Sequence, residues 1–264
     1  MVDSGTHTPE SFMHRRDVLK AFAALAMCPV CASVGVAAEG AHHWGYEGDT
    51  GPAKWGELDP ANQICTIGVQ QSPIDISSTI SANLYPLEIQ WADSVDTIVN
   101  NGHTIQLNAA PGSTLKLGSA NFDLVQFHFH RPSEHTIDGK SLPMEVHFVH
   151  RMSTGTLGVV GVLMQEGKSN PAFAKIVATM PQTEGPAVKA DGAINPKAFL
   201  PEKRSYFRYE GSLTTPPCSE VVDWIVLTTP VEVAAEDVAA FAKLYPMNAR
   251  PVQKENRRFV LQSN

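Results

Sequence analysis

Side chains alternate strictly from Leu124 to His130. Leu124, Gln126, His128 and His130 share one face, and Val125, Phe127 and Phe129 share the other. A period of two predicts a half-buried strand. Residues 144–150 repeat the pattern, with Glu145, His147 and Val149 opposite Val146 and Phe148. Residues 157–164 and 221–227 are nearly continuous apolar runs, the signature of strands covered on both sides. Helical periodicity is scarce. Asn170-Pro171 predicts a helix start, with Phe173, Ile176, Val177 and Met180 on its apolar side. A second short helix is predicted over residues 236–244. There is no repeat, low-complexity tract or linker, so the pattern predicts one strand-dominated α+β domain.

The first 38 residues read differently. Arg15 and Arg16 precede an Ala-rich apolar stretch from Val18 to Ala38, whose only charge is Lys20 and which ends in the small residues Val36-Ala37-Ala38. This order predicts an export signal over residues 1–38, removed to leave a single domain at 39–264. The string R-R-D-V-L-K at 15–20 resembles a twin-arginine leader, which places the mature chain in a bacterial periplasm or outside the cell. A membrane anchor is the competing reading, since residues 21–38 carry no charge. Pro29, Ser33, Gly35 and many alanines make that run only weakly apolar, which favours export with cleavage and no stable membrane insertion of the mature chain.

Composition narrows the function classes. The 264 residues are 43% hydrophobic and 18% charged, an ordinary balance for a folded domain. Net charge is −7, and the Lys and Arg residues form no run, which disfavours nucleic acid as a partner. The 19 Gly and 19 Pro fit a strand-and-turn protein. Of the four cysteines, Cys28 and Cys31 fall in the leader, and Cys65 and Cys218 remain. Two cysteines in an exported chain read as one disulfide, with two buried free thiols as the alternative. Closing a loop of about 150 residues is worth up to roughly 4–5 kcal/mol in the chain-entropy model.

The candidate chemistry lies in the histidines. His128 and His130 point the same way from one strand, and His147 lies on the next strand-like segment. Burying imidazoles without partners is costly, and a shared metal ion explains why they converge. Three neutral histidines with one open position form the catalytic zinc pattern, which lowers the pKa of bound water to about 7. Gln126 and Glu145 each stand two residues before a candidate ligand, where they can orient an imidazole N–H. Val149 shares the face of His147 and can supply an apolar wall for a small neutral substrate. His103, after the turn-forming Asn100-Asn101-Gly102, has the titration range a proton carrier needs.

Several strings together resemble the α-class carbonic anhydrases across nearly the whole mature chain. They begin with H-W-G-Y at 43–46, Q-S-P-I-D-I at 71–76, N-G-H at 101–103 and Q-F-H-F-H at 126–130. They continue with S-E-H at 133–135, E-V-H-F-V-H at 145–150, G-S-L-T-T-P-P-C at 211–218 and N-A-R-P at 248–251. The resemblance implies a large, twisted, mostly antiparallel central sheet with short peripheral helices. It implies Zn2+ on His128, His130 and His147, with Gln126 and Glu145 as indirect ligands. The implied reaction is reversible hydration of carbon dioxide to bicarbonate by a zinc-bound hydroxide. Thr214 and Glu134 aim the hydroxide, and His103 shuttles the proton. Val149, Val159, Leu213 and Trp224 match the carbon dioxide pocket, Thr215 neighbours the substrate site, and Tyr46, Asn101 and Gln106 line the water network. His135 and His150 match structural histidines, and Cys65 with Cys218 matches the disulfide of exported bacterial members.

Departures are few. Arg131-Pro132 follows H-F-H where animal members have Trp-Gly, Gln106 stands where they often carry Asn, and Ala249 replaces a Trp. Two other readings compete. His128-x-His130-x3-Glu134 also fits a cupin metal motif, with Glu134 as a ligand on a jelly-roll barrel. A silent binding module of the same fold is the other. Both a monomer and a homodimer fit the sequence.

Overall fold

Strand patterning dominates the observed fold. The computed structural model describes residues 43–192 and 194–264. The leader expected at 1–38 lies outside the described residues. Among the described residues, thirteen strands form one open sheet. Its middle runs Val95–Asn100, Ile105–Ala109, Ala120–His130, Met144–Arg151, Leu157–Glu166, Val222–Leu227 and Tyr206–Gly211. Neighbours pair antiparallel, except that Leu157–Glu166 runs parallel to Val222–Leu227 and Val231–Val233, and Leu261–Ser263 runs parallel to Ile80–Ala82. An open sheet of this kind is not a jelly-roll barrel, so the cupin reading is set aside.

The strands form where their burial pattern requires. The run from Leu157 is buried almost throughout Leu157–Glu166, as its continuous apolar sequence predicts. Phe127, Phe129, Met144, Val146 and Phe148 enter the main core on one side of the sheet. That core is capped by two helices, Pro171–Thr179 and Ala235–Ala242. Asn170 accepts from the backbone N–H groups of Ala172 and Phe173, and Pro171 occupies the first helical position. The second helix ends two residues before the expected Leu244.

One element departs from the alternation. Leu124 pairs with His150 and Gln126 with Val149, so Val125 is an extra residue on its strand. This bulge turns Leu124 into the core beside Phe127, rather than onto the face of Gln126 as strict alternation predicted. The strand therefore has two registers. The one after Val125 sets the faces of Gln126, His128 and His130.

A second apolar cluster lies across the sheet and contains Val159, Val222, Trp224 and Val226, with Val149 and Leu213 packed against it. A third joins Trp55 to Cys65 and Cys218, whose sulfurs are bonded. The single disulfide read from the two cysteines is thus present. No helix among the described residues is long and apolar enough to cross a membrane.

Candidate metal centre

Register brings the histidines together. His128 pairs directly with His147 across neighbouring strands, and His130 pairs with Glu145. Since alternate residues share a face, His128, His130 and His147 project from the same side. One nitrogen from each falls within a common 4.8 Å. The ring centroids are 4.9 Å apart for His128 and His130, 5.5 Å for His128 and His147, and 4.4 Å for His130 and His147.

The other ring nitrogens are occupied. His128 Nδ1–H donates to Gln126 Oε1 at 2.8 Å, and His147 Nε2–H donates to Glu145 Oε1 at 2.9 Å. His130 Nδ1–H donates to the carbonyl of Asn248 at 2.8 Å. These bonds fix each tautomer, leaving Nε2 of His128, Nε2 of His130 and Nδ1 of His147 as acceptors. His130 Nε2 is buried and has no hydrogen-bond partner. A buried acceptor without a donor calls for a cation or a solvent molecule. Three converging neutral imidazoles fit a zinc ion.

Burial also keeps the imidazoles neutral, the form a metal requires. It pushes His128 well below 6.5, His130 down to about 4 and His147 downward, and the neighbouring imidazoles oppose protonation further. Glu145 shows the opposite balance. Burial alone raises its carboxyl, but His135, His147 and their hydrogen bonds outweigh it and hold the group well below the usual range. Its oxygens also accept from the backbone N–H groups of Glu134 and His135 and from His135 Nδ1. With so many donors, Glu145 is committed to orienting His135 and His147. Gly161, opposite His147 on the next strand, makes room for it: an added Cβ would lie 2.8 Å from Glu145 Oε1.

Glu134 borders the triad, with Oε1 3.5 Å from His130 Nδ1 and Oε2 3.8 Å from His147 Nδ1. Burial raises its carboxyl to about 7, against lowering by His147, the Thr214 hydroxyl and the Arg250 backbone N–H. Oε1 accepts that N–H at 2.7 Å. Buried Thr214 is close enough to lower the carboxyl's pKa, but no Thr214 contact on Oε2 reaches full hydrogen-bond geometry, and that oxygen is left without a partner.

Other singled-out residues surround the triad. Gln106 pairs with His128 and donates to Asn108 at 2.7 Å. Trp224 packs edge-on to His147 at 4.8 Å and belongs to the same apolar cluster as Val159, with Val149 and Leu213 against it. Thr215 is half-buried, and its carbonyl accepts from the Cys218 N–H in the loop that carries Thr214. Tyr46 packs against Trp44 and Trp55, and burial followed by the charge of Glu134 raises its hydroxyl well above 10. Asn101 closes a turn, its Oδ1 accepting from the N–H groups of His103 and Thr104. His103 stacks on Trp44 at 3.6 Å, and burial, followed by His43, pushes its imidazole down to about 4. His135 joins Glu145 to Tyr209, and His150 lies between Trp91 and the Gly158 carbonyl, both away from the open nitrogens.

Two partners escaped the sequence reading. Asn248 holds His130 through its main-chain carbonyl, and Arg250 holds Glu134 through its main-chain N–H. Neither contact uses a side chain, so residue type carried no signal beyond the string N-A-R-P.

A histidine triad on an open sheet, with oriented tautomers and an apolar wall beside it, has the form of a three-histidine site that could hold a metal ion. A sequence model of the family described as eukaryotic-type carbonic anhydrase matches residues 50–264. A carbonic anhydrase of Pectobacterium carotovorum is 42% identical over 236 residues, spanning 89% of this chain and 96% of the relative. The solved α-carbonic anhydrase of Thermovibrio ammonificans, bound to sulfanilamide, superposes with a TM-score of 0.81 at 45% identity, covering 83% of this chain and 99% of that one. Dioscorin complexed with ascorbate superposes at 0.78 with 27% identity, over 83% and 97%. The chain belongs to the α-class carbonic anhydrase family, whose members are carbonate dehydratases.

Proposed function

We propose that this protein catalyses reversible hydration of carbon dioxide to bicarbonate and a proton, with zinc held by His128, His130 and His147. The observation that carries the reading is the single open nitrogen on each of three converging imidazoles, His130 Nε2 being buried and unpartnered. Bound zinc supplies a hydroxide nucleophile at neutral pH by lowering the pKa of a coordinated water to about 7.

The chain's own residues do the rest. Gln126, Glu145 and the Asn248 carbonyl hold the imidazoles in the ligating tautomer. In its ionised form, which dominates above its pKa of about 7, Glu134 can only accept, so it claims the Thr214 hydroxyl proton. The Thr214 oxygen is then left to accept from the nucleophile, which turns a lone pair toward the substrate carbon. Val149, Val159, Leu213 and Trp224 offer an uncharged wall for carbon dioxide, and Thr215 borders the same space. One carbon–oxygen bond forms, giving bicarbonate, and one proton per turnover leaves for solvent.

His103 carries that proton, through water lined by Tyr46, Asn101 and Gln106. Stacked on Trp44 the ring is a weak base. Turned into water it recovers a pKa near 6.5, matched to the task. The leader at 1–38 directs export to the periplasm or beyond, an oxidising setting in which the Cys65–Cys218 disulfide persists. Dioscorin indicates that a related fold accompanies a bound small molecule, but a module that only binds has no need of three oriented metal-ligating imidazoles.

Stopped-flow hydration of carbon dioxide by the mature chain, before and after chelation, tests the proposal. Activity should vanish with the metal and return with one equivalent of zinc. Metal-free protein as fast as the zinc form would defeat it.

A further inference from the structure

Asn248 bonds both to the segment around His130 and to the turn of His103, and it is fully buried. Its main chain makes two bonds to the end of the His130 strand and the residue after it: the carbonyl accepts from His130 Nδ1–H, and the N–H donates to the Arg131 carbonyl at 2.9 Å. Its carboxamide makes three more. Oδ1 accepts from the Arg131 N–H at 2.7 Å, and the amide nitrogen donates to the carbonyls of Phe129 and His103, each at 2.9 Å. These partners fix the amide's orientation, because the oxygen faces a donor and the nitrogen faces two acceptors. Every strong hydrogen-bonding site on the carboxamide N–H2 is in use.

The bonds to Phe129 and Arg131 flank His130. The bond to His103 reaches a different segment, the turn at 100–104. Asn101 shapes that turn from within, and the Thr104 hydroxyl ties it to the Phe129 carbonyl at 2.6 Å. The backbone of His103 itself has its carbonyl held by Asn248. We propose that the Asn248 carboxamide is a positioning residue for proton transfer, fixing the backbone of His103 relative to the strand that carries His128 and His130. This rests on the reading of His103 as the proton carrier. The main-chain carbonyl serves the metal ligand and the side chain serves the carrier, so substitution separates the two roles.

Asn248→Asp keeps the acceptor for Arg131 and the carbonyl for His130, but it removes both donors. Zinc should stay at one per chain. kcat/KM for hydration should hold within about twofold while kcat falls about tenfold, less than the roughly 100-fold or more a proton-transfer group can contribute. Imidazole buffer should restore most of the lost kcat. In a His103→Ala background, Asn248→Asp should lower kcat no further. Asn248→Ser, which adds no charge, should give the same pattern and decides the matter if the aspartate variant does not fold. Equal loss of kcat and kcat/KM, an additive loss in the double variant, unchanged kcat, or failure of both variants to retain zinc would overturn the assignment. Full kcat in His103→Ala alone would instead defeat the reading of His103.

Discussion

The two faces of the Ala120–His130 and Met144–Arg151 strands make a controlled comparison within one molecule. Phe127, Phe129, Val146 and Phe148 point one way into an apolar core, and His128, His130, Glu145 and His147 point the other. Backbone, register and hydrogen-bond ladder are common to both. Only the side chains differ, yet one face is satisfied by contact alone and the other needs a named partner for each polar atom. The apolar face is stabilised by area removed from water, which is nondirectional and tolerates changes of shape. The polar face depends on directed bonds, and His130 Nε2 remains without one. A pleated sheet can therefore hold stability on one side and reactivity on the other, separated by a single residue step.

Neighbours on opposite faces break this comparison most sharply. His130→Ala should abolish zinc retention and hydration, exceeding the roughly 10–100-fold expected for an orienting residue, while far-ultraviolet circular dichroism stays that of the parent. Phe129→Ala should do the reverse. Its fully buried ring leaves a cavity worth about 3–5 kcal/mol in a denaturant titration. The folded fraction should still bind one zinc.

Titration sharpens the comparison next. His150 is buried with its ring between Trp91 and Gly158, and burial pushes it down to about 4. The unfolded chain takes up this proton near pH 6.5 and the folded chain only near 4. Stability is therefore lost as pH falls from 6.5 to 4 and is unaffected above that window. The loss is on the order of 3 kcal/mol at the acid end. His150→Gln, which keeps a donor and an acceptor, should flatten that part of the slope in denaturant titrations at pH 7 and 4.5. An unchanged slope would show that His150 does not carry it.

The smallest effect belongs to a residue that touches no metal. Gln126→Ala removes the acceptor from His128 Nδ1–H but leaves all three rings, and should weaken zinc affinity roughly 10–100-fold. A competition titration with a chromophoric chelator measures it. No change would mean that the ring holds its tautomer without help.

Much of this division was legible in the residues. Alternation at 126–130 and 145–149 assigned the two faces correctly, because a period of two leaves no other choice once one face is apolar. Continuous apolar runs marked the doubly covered strands. The bulge at Val125 was not legible, since nothing in Leu-Val-Gln distinguishes an inserted residue from the next step of a pleat, and Leu124 went to the wrong face. Asn248 and Arg250 were also invisible as partners of His130 and Glu134, because a main-chain carbonyl or N–H is common to nearly every residue. The stacking of His103 on Trp44 joins residues 59 apart in two stretches outside helices and strands, where no periodicity operates.

Zinc K-edge X-ray absorption on the mature, metal-loaded protein tests the central claim most directly. It should show three imidazole nitrogens at about 2.0–2.1 Å and one further light donor. The same spectrum should be obtained from Glu134→Gln, because the role proposed for the carboxylate is to accept from Thr214 and not to bind the ion. Fewer than three imidazoles, or a shell that changes when Glu134 is replaced, would contradict the account.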